Sequence, residues 1–133
     1  MIVADTNLIA YLLIPGPFSA DAERVQARDP DWRAPWLWRS EFLNVLSLYL
    51  RTGTMTLAEA HGAWTRARRL LAGREFSIPG AAVLDLAAAS RCKSYDCEFV
   101  VGAQSAGVPL VTADAKVLAA FPAVAVSIQS FAA

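Results

Sequence analysis

The chain opens with a short apolar run, Ile2-Val3-Ala4, that ends directly in an acid, Asp5, followed by Thr6-Asn7. A continuous apolar run of this length is typical of a strand buried on both faces of a parallel sheet. Open α/β sheets bind ligands at the carboxyl ends of their strands, so Asp5 is a candidate site residue. Asp5 could equally cap the following helix, because Asp, Thr and Asn all serve as N-caps.

The same pattern recurs near the end of the chain. Residues 109–114 read Pro-Leu-Val-Thr-Ala-Asp, a second short apolar run that ends in small and acidic residues. We therefore predict a second buried parallel strand with Asp114 just past its carboxyl end. The two acids would then lie at the same edge of one sheet.

The segments between these two runs alternate between helical and extended patterns. They predict helices over 8–13, 20–28, 41–51, 56–72, 81–90, 94–106 and 115–120, and strands over 75–78 and 124–128. Residues 31–36 are an ambiguous short strand, and the prolines at 30 and 35 favour an edge or a brief piece. This alternation predicts an α/β fold, a three-layer α/β/α sandwich around a mostly parallel sheet. A length of 133 residues suits a single domain, residues 1–133.

Two more acids are predicted near helix starts. Glu41 follows Ser40, a plausible cap, and Asp96 lies in the first turn of the helix that Ser94 opens. The helix dipole by itself would favour a carboxylate at either place. Asp96, however, heads an otherwise apolar face, where an acid is costly unless something positive meets it. Glu98 points about 200° away at ~100° per residue, so we place it at the rim.

Four acids at one sheet edge would repel one another. Two like charges ~5 Å apart cost roughly 3 kcal/mol at an effective dielectric constant of 20, so protonation or a cation must relieve the cluster. Oxygen-only ligands favour Mg²⁺ or Mn²⁺, which can act on a phosphodiester. The chain has a single histidine and no Ser/His/Asp or Cys/His set. Metal-assisted hydrolysis is the chemistry that these residues fit best.

Composition constrains partners and location only loosely. The chain is 56% hydrophobic with zero formal net charge, so bulk charge neither requires nor excludes nucleic acid. No apolar run approaches the ~18 residues of a spanning helix, so we expect no membrane segment and assign the apolar excess to a dimer face or a partner groove. Because the chain starts directly with a strand, we expect no signal peptide and a cytoplasmic location.

These motifs carry a family resemblance. Asp5-Thr6-Asn7, Glu41 in Ser-Glu-Phe-Leu-Asn, Asp96 in Tyr-Asp-Cys-Glu-Phe and Asp114 in Val-Thr-Ala-Asp resemble, in order, the four motifs of PIN domains, and most closely those of the small VapC-type toxins of bacterial toxin–antitoxin modules. The resemblance implies an RNase H-like sandwich and a Mg²⁺- or Mn²⁺-dependent endoribonuclease. It makes the four acids the metal-binding residues, and it gives Thr112, and also Asn7, the role of orienting a carboxylate or a water.

The resemblance also implies partners beyond the RNA substrate. A VapC-like protein is a homodimer held inactive by a cognate antitoxin, whose tail lies in an apolar groove and directs an arginine or a similar group at the acids. A haloacid-dehalogenase-type phosphatase fits less well, because it needs an Asp where this chain has Asn7. A response-regulator receiver also fits less well, because it needs an acidic pair near its first strand that this chain does not have in that form. A PIN-like module that binds RNA or protein without cutting remains the alternative.

Overall fold

The computed structural model describes all residues, 1–133. Five strands form one sheet in the order β3-β2-β1-β4-β5, and every pairing is parallel. The strands are β1 Ile2–Ala4, β2 Trp32–Pro35, β3 Glu75–Phe76, β4 Leu110–Thr112 and β5 Ala125–Ser127. The helices are α1 Thr6–Leu13, α2 Ser19–Arg28, α3 Leu37–Arg51, α4 Leu57–Leu70, α5 Gly80–Ser90, α6 Ser94–Ala106, α7 Ala115–Ala120 and α8 Ile128–Ala132.

The strand order reverses direction beside β1. The chain runs outward from β1 to β2 and β3, then returns to β4 on the other side of β1 and continues to β5. Right-handed crossovers therefore place α1 to α4 on one face and α5 to α7 on the other. The contacts agree, because α1 touches α2, α3 and α4, whereas α5 packs on α6. The predicted three-layer α/β/α sandwich is confirmed, and the gap between β1 and β4 is the switch point where such sheets bind ligands.

The two apolar runs form the centre of the sheet, as predicted. Every residue of β1 is fully buried, and Leu110 and Val111 of β4 are buried to the same degree. Parallel strands covered by helices on both faces have no solvent side, which is why their sequence shows no alternation of polar and apolar residues. No helix in the chain combines the length and the apolar character needed to cross a membrane.

Of the two alternatives for β2, an edge or a brief piece, only the second holds, because β2 has four residues but is not an edge strand. It pairs with both β1 and β3, so β3 is the edge strand and β2 lies inside the sheet. Pro35 is tolerated there because the amides on either side of it make the bonds: Ala34 donates to Arg74, directly before β3, and Trp36 donates to Phe76 of β3. The pairing with β1 involves only Trp32 and Arg33. The missing N–H of Pro35 therefore leaves no ladder bond unmade.

The start of α3 and the last apolar run differ from the sequence expectations. Helix α3 begins at Leu37, four residues before Glu41, so Ser40 is not its cap. Helix α6 keeps its predicted bounds, although its N-cap residue is Lys93 and Ser94 is its first helical residue. The final apolar run is divided, because Ser127 ends β5 and caps α8, its hydroxyl accepting from the Ser130 amide at 3.1 Å.

A close contact holds α6 against the sheet. Gly102 of α6 is buried directly over the ring of Phe76 in β3, and a Cβ added at Gly102 would lie 2.3 Å from Cε2 of that ring. Such a separation is far inside van der Waals contact, so only glycine allows this approach. Because α6 also carries Asp96, this contact helps set the height of that acid above the sheet edge.

Candidate active site

Asp5 lies at the end of β1, and both of its carboxylate oxygens accept hydrogen bonds. Oδ1 accepts from the Leu8 amide at 2.8 Å, which makes Asp5 the N-cap of α1. Oδ2 accepts from the Thr112 hydroxyl and from the Ala113 amide, the latter at 3.2 Å. The two interpretations of Asp5 are thus compatible, because the cap bond uses one oxygen and fixes the orientation of the other.

Thr112 connects the loops that follow β1 and β4. This last residue of β4 is 1% exposed, and its hydroxyl donates to Asp5 while accepting from the Asp114 amide at 3.0 Å. Asp114 in turn caps α7, with Oδ1 accepting from the amides of Lys116 and Val117 at 2.8 and 3.2 Å. One buried hydroxyl therefore sets the positions of Asp5 and Asp114 relative to each other.

Glu41 reaches the same region from α3, in the second turn rather than the first. Its Oε1 accepts from the Thr6 hydroxyl at 2.7 Å, and Thr6 is 7% exposed. Sequence reasoning did not assign a role to Thr6. A hydroxyl residue directly after a candidate acid, at the first position of a helix, was the available signal. Asn7 is exposed and lines the pocket described below.

Asp96 approaches from the opposite helical layer, in the first turn of α6. It is half-buried, and only burial and neighbouring charges shift its pKa: burial and Asp114 raise it, while Lys93 and Lys116 lower it. Those two residues are the only lysines of the chain, and both lower the pKa of Asp96.

The four predicted acids line one pocket of about 480 Å³ at the carboxyl edge of the sheet. The polar residues of its wall are Asp5, Thr6, Asn7, Ser40, Glu41, Asn44, Tyr95, Asp96, Thr112 and Asp114. Glu98 lies outside it and lines a separate hollow beside α5. The topology therefore brings together all five predicted site residues, the four acids and Thr112, and leaves Glu98 at the periphery.

Burial is the main influence on these carboxyl groups. It raises the pKa of Asp5, Glu41 and Asp96 above their ordinary values. Mutual repulsion adds to the effect: Asp114 raises the pKa of Asp5, and Asp96 and Asp5 raise that of Glu41. Hydrogen bonds from Thr112 and Thr6 act in the opposite direction on Asp5 and Glu41, respectively. The pocket thus concentrates negative charge that a cation would stabilise.

The donor set suits a hard divalent cation. The wall offers carboxylate, hydroxyl and amide oxygens, with neither histidine nor cysteine among its residues. In residues 1–133, however, no group of three or more His, Cys, Asp or Glu side chains is close enough together to hold a metal ion. Mg²⁺ usually keeps several water molecules and takes only one or two carboxylates directly, so an open arrangement of acids is compatible with it.

The architecture is that of a PIN-like three-layer sandwich. Two solved structures share it over almost their whole length. The crystal structure of PAE2754 from Pyrobaculum aerophilum superposes with a TM-score of 0.78 at 21% identity, covering 98% of this chain and 92% of that one. The crystal structure of FitAcB from Neisseria gonorrhoeae gives 0.76 at 16% identity, with 97% and 99% coverage. No family model and no curated protein matches the sequence. At these identities the likeness shows the fold alone.

Proposed function

We propose that this chain is a metal-dependent endoribonuclease that cleaves RNA phosphodiester bonds and acts as the toxin of a toxin–antitoxin pair. One observation carries the proposal: acids from the ends of β1 and β4 and from α3 and α6 line a single pocket at the switch point of the sheet. Asp5 and Asp114 also cap helices, but neither Glu41 nor Asp96 has such a role that would require it to face the same pocket. The repulsion is explained if the pocket serves a cation.

In this proposal Asp5, Glu41, Asp96 and Asp114 hold Mg²⁺ or Mn²⁺. When bound, such an ion supplies Lewis-acid stabilisation of the charge that develops on a phosphodiester during hydrolysis. The protein itself supplies orientation. The amide and hydroxyl donors on Asp5 keep its carboxylate from rotating. They also offset part of the rise in the pKa of Asp5 that burial causes. Thr112 is therefore a positioning residue, as Thr6 is for Glu41.

A second hollow supports the toxin part of the proposal. A groove of about 240 Å³ borders the acidic pocket and shares Asn7 and Val45 with it. Its wall includes Tyr11, Ile14 and Phe18, and Phe18 is 46% exposed. An apolar groove that leads to a cluster of acids suits an antitoxin tail carrying a basic residue. Mixing the purified chain with the product of the neighbouring gene tests this part. Absence of a complex would contradict the proposed antitoxin partner.

The proposed homodimer has a separate basis. Leu43 and Leu48 of α3 are each 46% or more exposed, and burying such side chains against a second copy is favourable. Sedimentation equilibrium over a range of protein concentrations would measure the association. A monomer at every concentration would contradict the dimer without affecting the proposed chemistry.

The alternative is a PIN-like module that binds RNA or a protein without cutting. The absence of three closely grouped metal-binding side chains favours it. Cleavage of a fluorogenic single-stranded RNA separates the two functions. The nuclease should lose activity in EDTA and regain it with Mn²⁺, and Asp5→Asn and Asp96→Asn should each abolish it. RNA left intact across Mg²⁺ and Mn²⁺ titrations would favour the binding module.

A further inference from the structure

Trp36 is the one tryptophan with an exposed ring. It is 51% exposed, whereas Trp32 and Trp38 are fully buried and Trp64 is half-buried. An indole buries a large apolar area when it is covered, so leaving half of it in water is costly unless something binds there. The ring stands directly after β2, at the carboxyl edge of the sheet that also carries Asp5.

The structure holds this indole in place from one side. The Arg39 guanidinium lies over the Trp36 ring, 4.4 Å from its centroid. Arg39 is fixed in turn by Glu75, which accepts from Nε at 2.6 Å and from the second guanidinium nitrogen at 2.7 Å. Trp38 donates to the same carboxylate at 2.8 Å. Because Glu75 already neutralises Arg39, this arginine supports the ring rather than serving as a free phosphate ligand.

Trp36 does not itself line the acidic pocket, but two of its close neighbours in the chain do. Leu37 and Ser40, one and four residues after Trp36, both line that pocket. Positions four apart lie on the same side of a helix, so Trp36 borders the part of the wall that Ser40 contributes. The ring therefore stands beside the proposed reaction site without belonging to the acid cluster.

A second exposed ring enters from the other helical layer. Tyr95 is 57% exposed, lines the pocket and directly precedes Asp96 in α6. Lys93, the N-cap residue of α6, is exposed and close enough to lower the pKa of Asp96. Tyr95 therefore lines the pocket from one helical layer of the sandwich, and Trp36 flanks the pocket wall from the other.

We propose that Trp36 is a stacking platform for a nucleobase of single-stranded RNA whose scissile phosphate lies at the acids. The inference rests on the proposed nuclease function and narrows its substrate to RNA with unpaired bases. Bases that are splayed out of a duplex stack on aromatic side chains, whereas paired bases do not present their faces. An indole with one face on Arg39 and the other open to solvent has the geometry for one such base.

The test measures binding in EDTA, so that metal-dependent cleavage does not interfere. The probe is a fluorescently labelled single-stranded RNA, compared with its duplex and with an oligomer abasic at its centre. Trp36→Ala should weaken single-strand binding about tenfold, within the range that one base stack contributes. Trp36→Phe should remain within about threefold of wild type. Leu57→Ala, which removes another exposed apolar side chain, is the matched control and should bind like wild type.

The outcomes separate this inference from the proposed function. If wild type cleaves RNA in Mn²⁺ but Trp36→Ala binds and cleaves equally well, the stacking site is wrong and the nuclease stands. If RNA binding depends on Trp36 but no metal supports cleavage, the stacking site stands and the nuclease is wrong. Preference for duplex over single-stranded RNA would overturn the inference, as would conversion of a dimer to a monomer by Trp36→Ala, which would make the ring an interface between copies.

Discussion

The hydroxyl of Thr112 joins two of the acids of the pocket, because it bonds to both Asp5 and the Asp114 amide. Thr112→Val keeps the β-branched shape and replaces only the oxygen by a methyl group. The substitution removes a donor to Asp5 and an acceptor for the Asp114 amide in a residue that is 1% exposed. We expect the variant to fold, to be less stable than wild type, and to lose activity because both acids lose a shared support.

The size of the effect follows from the two bonds. A hydrogen bond to a charged group contributes about 1.5–3 kcal/mol and one to a neutral amide about 1 kcal/mol. Burial of the added methyl group stabilises the variant by roughly 0.8 kcal/mol and so offsets part of this loss. We therefore expect a net loss of about 2 kcal/mol in the free energy of unfolding. Loss of a positioning hydrogen bond beside a metal site typically costs 10–100-fold in activity or metal affinity, so cleavage should fall by about that much.

The loss should also depend on pH. The Thr112 bond favours the ionised form of Asp5, whose pKa burial raises above its ordinary 3.8. The stabilisation by this bond is therefore present while folded Asp5 is ionised, and it is lost as pH falls through that raised pKa. The difference in the free energy of unfolding between wild type and Thr112→Val should be largest at neutral pH and should decrease in acid.

Urea denaturation at several pH values and RNA cleavage in Mn²⁺ provide the measurements. Thr112→Ser is the matched control, because it keeps the hydroxyl and loses one buried methyl group, at a cost of about 1 kcal/mol. The serine variant should stay active, whereas the valine variant should not. A valine variant as stable and as active as wild type would show that this hydroxyl supports neither acid.

Three further outcomes are expected. Glu98→Gln should reduce cleavage far less than Asp96→Asn, because Glu98 lies outside the pocket; equal losses in a cleavage assay would contradict that placement. Gly102→Ala should lower the free energy of unfolding, measured by urea denaturation, by about 1–2 kcal/mol, since the cost of overpacking exceeds the gain in helix propensity. Unchanged stability would refute the close contact. Arg39 lowers the pKa of Glu75, so this pair stabilises the fold above pH 4.5 and the benefit is lost as pH falls through the lowered pKa. Glu75→Gln should remove the contribution of this pair to the pH dependence of the thermal midpoint. An unaltered pH dependence would show that the pair does not stabilise the fold.

Short-range sequence patterns were enough to predict many of the strands and helices of this protein. The apolar runs before Asp5 and before Asp114 were enough to predict the two central strands, because a strand buried on both faces has no polar positions. The capping box at the start of α4, with Thr56 and Glu59 bonded reciprocally, was likewise readable because both partners lie within one turn. Alternation of such segments predicted the layered α/β architecture.

Contacts between distant residues were decided only by the tertiary structure. The Thr6–Glu41 and Asp5–Thr112 bonds join positions 35 and 107 residues apart, and no local pattern marks such a pair. Pro35 lies inside the sheet because of how its neighbours pair, which composition cannot reveal. The sequence alone could place Asp5 and Asp114 at one edge, since the carboxyl ends of parallel strands coincide. Their spacing and hydrogen bonds depend on how the helices pack, because packing is a property of the whole fold.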